Sequence, residues 1–386
     1  MASAAYEYFE VLKGWNKVSS IRELERVMRP IQRSSVLFNY LYKKVKLQCT
    51  QLKPRKNGEF TFVHPLNVVL NLLKARVNDE LIFCGAIMHD FIEEEVDKYR
   101  DNHKIDQKTK KGIEILDQYE KIAFKELEVE LHKFASSNNI NSKTIDDLIE
   151  ILKLLTRCKR DFYYESISNI FKYKSREIKE KAIQIKLADR MHNILCIDCF
   201  SEEERIYQCY KNLFILNSTK KYLIEQFGKS IFSSKKPVPF ERLFNKCCKA
   251  TYEAFVIICR LSSRKGITDI ISMLQLSFKK YAFEREGVTG VTKLKRGESH
   301  LVRLFQSVIR KYDRRLRHEW NLYKKRKVNE VTYCKKFFKD YKFSEAEIRA
   351  IIDYKDAYAL REIVTYLLYK PNYVISGFDY KKVFKR

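Results

Sequence analysis

Helix breakers are scarce in this chain. Only 10 of its 386 residues are glycine and 6 are proline, too few to punctuate the short strands and tight turns of a β-sandwich or barrel. Between them, apolar residues recur at helical spacing. Leu66, Val69, Leu70 and Leu73 fall at i, i+3, i+4 and i+7, the stripe of a helix that buries one face, and Pro65 suits its first turn. Residues 18–47 carry Leu, Val, Ile and Phe among charges at the same period and predict one or two amphipathic helices. Lys53-Pro-Arg-Lys-Asn-Gly58 is a turn by composition. The run from Glu80 to about Glu95 is apolar on most sides and predicts a deeply buried helix. A charged stretch, 97–111, reads as exposed helix or loop. Residues 113–156 read as two helices parted near Ser136-Ser-Asn-Asn139, and 182–197 as a further apolar helix. The expected fold is all-α: a helical bundle over 1–230, then a second helical, basic region over 235–386. The two-proline stretch Phe232–Pro239 lies between them.

Composition narrows the class. A hydrophobic share of 45% and an aromatic share of 13% exclude a disordered chain. No run approaches the ~18 apolar residues that a membrane span needs. The opening MASAAYEYFEVLKGW places glutamates among its apolar residues and does not read as a signal peptide. Ten cysteines without an export signal read as reduced thiols in a cytoplasmic protein. Cys196 and Cys199 form a CxxC, but no second well-spaced pair completes a zinc site.

The net charge is +27, and residues after 230 hold 36 Lys and Arg against 16 Asp and Glu, which is about +20 of that total. Such a surface attracts polyanions. Between 303 and 327, Arg310, Lys311, Arg314, Arg315, Arg317 and Lys324 alternate with Phe305, Tyr312, Trp320 and Tyr323. Basic residues with interleaved aromatics suit nucleic-acid backbones. An electropositive channel for an anionic substrate, plain helical packing and homo-oligomeric self-association stay open beside that reading.

Chemistry concentrates elsewhere. His89-Asp90 ends the apolar run Leu81–Met88, and Asp189 sits inside Ile183-Gln-Ile-Lys-Leu-Ala-Asp-Arg-Met-His-Asn-Ile-Leu195. A carboxylate carried into apolar surroundings is costly unless it is paired, hydrogen-bonded or bound to metal. His64-Pro65 opens a helix upstream, so two histidines and two aspartates share core-forming helices. A common divalent cation would explain them, and imidazole with carboxylate suits Mn, Fe, Zn or Ni better than Ca. Taken singly, each is equally an ordinary core histidine or an ion pair, Asp189 with Lys186 or Arg190.

The order H…HD…D resembles the HD superfamily of metal-dependent phosphohydrolases. Three segments are similar to motifs of the RelA/SpoT-type alarmone hydrolases: Arg55-Lys-Asn-Gly-Glu-Phe-Thr-Phe-Val-His-Pro65, Met88-His-Asp-Phe-Ile-Glu-Glu-Glu95 and Ile185-Lys-Leu-Ala-Asp-Arg-Met-His-Asn-Ile194. The likeness covers roughly residues 35–200. It implies an HD-type bundle with His64, His89, Asp90 and Asp189 as ligands of a divalent metal, Mn²⁺ in that family. It places Glu93 and Glu94 where the family has the Glu-Asp that works on the attacking water. Glu94 departs from the family by one methylene. The likeness also assigns Arg55 to the guanine base, Lys56 to phosphate and Asn193 to the sugar of the nucleotide. The activity it implies is removal of the 3′-pyrophosphate from (p)ppGpp. Hydrolysis of another nucleotide (NADPH, a deoxynucleotide or a nucleoside monophosphate) and a non-catalytic scaffold that binds nucleic acid or acts as an adaptor are the alternatives.

Overall fold

The computed structural model describes residues 20–55, 58–157, 163–200, 202–233 and 236–262, with Val364, Leu367, 370–375 and 379–381 near the end. Every regular element among them is helical, and none is a strand. No described helix is long and apolar enough to cross a membrane. Lys56 and the basic segment 303–327, on which two of the expectations above rest, lie outside the described residues. The chain divides into two compact units. Residues 20–193 and 236–247 belong to one; 194–233, 248–262 and the described positions from Val364 onward belong to the other.

The first unit begins with α1 (Ile21–Ser34) and α2 (Val36–Cys49). Ser20 and Glu23 form a capping box at the start of α1, and the Ser35 hydroxyl accepts from Phe38 N at 2.8 Å to start α2. These caps satisfy backbone donors that a helix start leaves free. Then follow α3 (Val63–Lys74), α4 (Glu80–Met88) and α5 (Phe91–Asn102). The run predicted as one helix over 80–95 is thus two. His89 keeps helical angles, but Asp90 at φ −101°, ψ −3° ends the turn and becomes the residue before α5. Gln48 of α2 holds that break by donating to Phe91 O at 2.9 Å and to the Glu95 carboxylate at 2.8 Å.

Helix α4 is the centre of this unit. Seven of its nine residues, Ile82 to Met88, are buried, each large one contributing about 1.5–3 kcal/mol. It packs against α2, α3 and α7 (Ser142–Leu155). A Cβ on Gly85 would come within 2.7 Å of Ile185 and 3.0 Å of Ile151, so this glycine lets two neighbouring side chains lie against the α4 backbone. The long α6 (Lys110–Ser137) packs on α5 and α7, and α8 (Tyr163–Lys172) on α7. The α6–α7 break falls where the sequence places it, with Asn139 at φ +56°, a left-handed position that asparagine tolerates better than most residues. Helix α9 (Arg176–Leu195) supplies Ile183, Ile185, Leu187 and Ala188, all 0% exposed, to the core.

In the second unit, α10 (Glu202–Phe227) carries a polar stretch that is fully buried: Asn217, Ser218, Thr219 and Lys220. The Asn217 amide donates to Ile375 O at 2.9 Å and accepts from Ile375 N at 2.6 Å. The Lys220 ammonium donates to the carbonyls of Leu367 and Lys370 at 2.5 and 2.6 Å. Lys221 pairs with the buried Asp379 at 2.8 Å. Residues more than 140 positions apart in sequence are joined here by side chains reading backbone. Within the same unit, Asn212 donates to Thr251 of α11 (Pro239–Ser262) at 3.1 Å.

Candidate metal centre

Two helices and one helix break deliver the site. His64 stands in the first turn of α3, His89 and Asp90 at the α4–α5 break, and Asp189 in the middle of α9. Asn71 of α3 donates to Ala188 O of α9 at 3.3 Å in the buried interior. That bond fixes α3 against α9 and so His64 against Asp189.

The donor atoms converge. His64 Nε2 lies 3.1 Å from His89 Nε2, 3.3 Å from Asp90 Oδ2 and 3.4 Å from Asp189 Oδ1. His89 Nε2 is 3.2 Å from Asp90 Oδ2 and 3.9 Å from Asp189 Oδ1. One ligand atom from each of His64, His89 and Asp90 fits within 4.8 Å of the others. Asp189 stands slightly wider, because Lys186 holds its Oδ2 at 2.9 Å and Asn193 donates to its Oδ1 at 2.5 Å. Side chains of His64, His89 and Asp189 are 3%, 1% and 5% exposed, whereas that of Asp90 is 38% exposed. The cluster is therefore buried at His64, His89 and Asp189 and reaches solvent at Asp90.

Proton accounting tests whether a cation fits. His89 Nδ1 lies 2.8 Å from Ala86 O; a carbonyl only accepts, so Nδ1 carries the proton. In the neutral ring Nε2 is then a lone pair facing His64 Nε2 and the Asp90 carboxylate, an arrangement that a shared cation satisfies. Ligands about 2.1 Å from one ion sit about 3.0–3.4 Å apart, which matches the 3.1–3.4 Å spacings here, with His89 and Asp189 wider at 3.9 Å. Borderline nitrogen and hard oxygen donors together suit a first-row divalent ion. The residues fit the group.

Burial opposes a charge on His89, but the charge and hydrogen bond of Asp90, with Asp189 beyond, raise its imidazole above the ordinary value. Burial also opposes ionisation of Asp90 and Asp189. For Asp90 the two histidines, and for Asp189 chiefly Lys186, hold the carboxyl well below the usual range. Two carboxylates thus stay ionised in the interior and draw positive charge to the centre.

Around this core, Glu93 Oε1 accepts from Arg157 N at 2.8 Å, which ties α5 to the end of α7. Burial, with Asp90, Asp97 and Glu93 nearby, pushes the Glu94 carboxyl up to about 7, Arg55 opposing. Arg55 sits in a tight turn: Gly58 N donates to Arg55 O at 2.8 Å, and Gly58 has φ +78°, which a side chain would resist. The Arg55 guanidinium donates to Asn193 Oδ1 at 3.3 Å. The structure thus brings His64, His89, Asp90, Glu93, Glu94, Arg55, Asp189 and Asn193 into one neighbourhood.

Two members of this neighbourhood have no part in the sequence reading. His192 Nδ1 lies 2.7 Å from His64 Nδ1, and burial with the neighbouring His64 keeps this imidazole neutral, well below its ordinary value. The backbone of Arg157 is the second. Three residues beyond Asp189, His192 shares its helix face; that spacing was the available signal. The bond from Arg157 has none, since any residue supplies a backbone N–H. The chain matches no known family model, no curated protein and no solved structure.

Proposed function

We propose that this chain is a divalent-metal-dependent phosphohydrolase and that its substrate is a guanosine alarmone of the (p)ppGpp type, from which it removes the 3′-pyrophosphate. One observation carries the hydrolase reading: two imidazole nitrogens from two histidines and two buried or half-buried carboxylates converge within 3.1–3.9 Å. His64, His89, Asp90 and Asp189 would hold the ion. When bound, a cation such as Mn²⁺ supplies positive charge against phosphate oxygens and makes a water there more acidic.

The chain's own groups do the rest. Asp90, on the open side, meets the incoming phosphate end of the substrate. Glu94, held near neutrality, is suited to exchange a proton with the attacking water at its carboxylate. Glu93, fixed by Arg157 N, orients that water. Arg55, at the rim beside Asn193, offers a planar cation to the base or the phosphates. The guanosine preference rests on the motif resemblance alone: the Arg55–Pro65, Met88–Glu95 and Ile185–Ile194 segments.

A nucleotide panel with Mn²⁺ separates the readings. Release of pyrophosphate from ppGpp is the expected result. Release of phosphate from NADPH, a deoxynucleotide or a nucleoside monophosphate instead would keep the site and change the substrate. No turnover of any of them leaves a non-catalytic scaffold. Asp90→Asn and Asp189→Asn should each abolish turnover, and full activity in either would contradict the assignment of those ligands.

A further inference from the structure

His192 has no part in the ligand set, and its contact with His64 raises a question of tautomers. The two Nδ1 atoms are 2.7 Å apart and both rings are 2% exposed. At that distance a single proton lies between two ring nitrogens, one donating and the other accepting. Two arrangements of the neutral rings are possible. In the first, His64 Nδ1 carries the proton and donates to His192, which leaves His64 Nε2 as a bare lone pair aimed at His89, Asp90 and Asp189. In the second, His192 Nδ1 donates, and His64 then carries its proton on Nε2, in the middle of the carboxylates. Only the first leaves His64 able to bind a cation.

His89 faces no such choice, because Ala86 O can only accept from it. His64 is set by a partner able to play either part. We infer that His192 is a positioning residue that selects the metal-competent tautomer of His64 by accepting its Nδ1–H; this rests on the metal-site reading above. A ligating histidine ordinarily gives its second N–H to a carboxylate, a carbonyl or water. A neutral ring does the same work without adding a third carboxylate to Asp90 and Asp189. Helix α9 thus presents a ligand at 189 and the selector of another ligand at 192, one turn apart on one face.

The test compares Mn²⁺ affinity of the full-length wild type, His192→Asn and His192→Leu by calorimetric titration, with thermal unfolding followed alongside. Asparagine can place a carbonyl oxygen near the position of Nδ1 and accept the bond; leucine fills the space and cannot. His192→Leu should bind Mn²⁺ about 10- to 100-fold more weakly, and His192→Asn should stay close to wild type. Equal affinity in wild type and His192→Leu, or an Asn variant as weak as the Leu variant, overturns the inference. Long-range ¹H–¹⁵N correlation on the Zn²⁺-loaded wild type needs no variant. His192 protonated only on Nε2 supports the selector role, and His192 protonated on Nδ1 overturns it. A wild type that binds neither ion overturns the metal reading and this inference together, whereas wild-type binding unaffected by His192 overturns this inference alone.

Discussion

Glu94 is the residue at which local chemistry and proposed turnover meet most closely. Burial and three neighbouring carboxylates push it up to about 7, where a group can both take and return a proton in water. Glu94→Gln keeps the shape and removes the proton exchange. It should lower turnover about 10²- to 10⁴-fold while Mn²⁺ affinity, read by titration, is retained; unchanged turnover would remove Glu94 from the chemistry. That His64, His89, Asp90 and Asp189 would come together was legible in the sequence from histidines and carboxylates set in apolar helices and from their H…HD…D order. The Asp189–Lys186 ion pair was among the readings open in the sequence, and the structure forms it at 2.9 Å. The role of His192 was not legible, since an i, i+3 neighbour on a helix is as often a core residue as part of a site, and only its 2.7 Å approach to His64 marks it.

At the scale of elements, the helix content and most breaks were readable from apolar period and turn composition. The division of 80–95 into α4 and α5 was not. Helical periodicity continues through His89-Asp90 without a glycine or proline, and the break is held by the tertiary bonds of Gln48 to Phe91 and Glu95. Gly112, near the start of α6, gives an element-scale test. Replacing a helical glycine by alanine ordinarily gains about 1 kcal/mol. Here a Cβ would meet the Asp106 carbonyl oxygen at 2.0 Å, and that backbone cannot swing aside as a side chain does. Gly112→Ala should therefore lower stability, by about 1–3 kcal/mol as an overpacked position. A urea midpoint shifted upward would contradict the close approach.

At the scale of the molecule, the second unit is held through buried polar groups on α10. Burial pushes the Lys220 ammonium down to about 8 from an ordinary 10.5. The unfolded chain therefore binds a proton that the folded one lacks between those values, and stability attributable to Lys220 rises as pH goes from 8 to 10.5 and is lost as pH falls through 8. Relative to wild type, Lys220→Met should flatten that rise in denaturant midpoints measured from pH 7 to 10.5; identical pH dependence would show the lysine titrating normally. None of this was visible in the sequence, where nothing marks Asn217-Ser-Thr-Lys220 as buried. Its partners, Leu367 to Ile375, lie too far along the chain for any periodicity to pair them.

One divalent ion is expected where His64, His89, Asp90 and Asp189 converge. Titration of the metal-free chain with Mn²⁺, followed by electron paramagnetic resonance, tests it most directly. The expected result is one tight site per chain, lost in His64→Ala and in Asp189→Asn while both variants keep their helical circular dichroism. A chain without a tight Mn²⁺ site, or one whose site survives both substitutions, would contradict it.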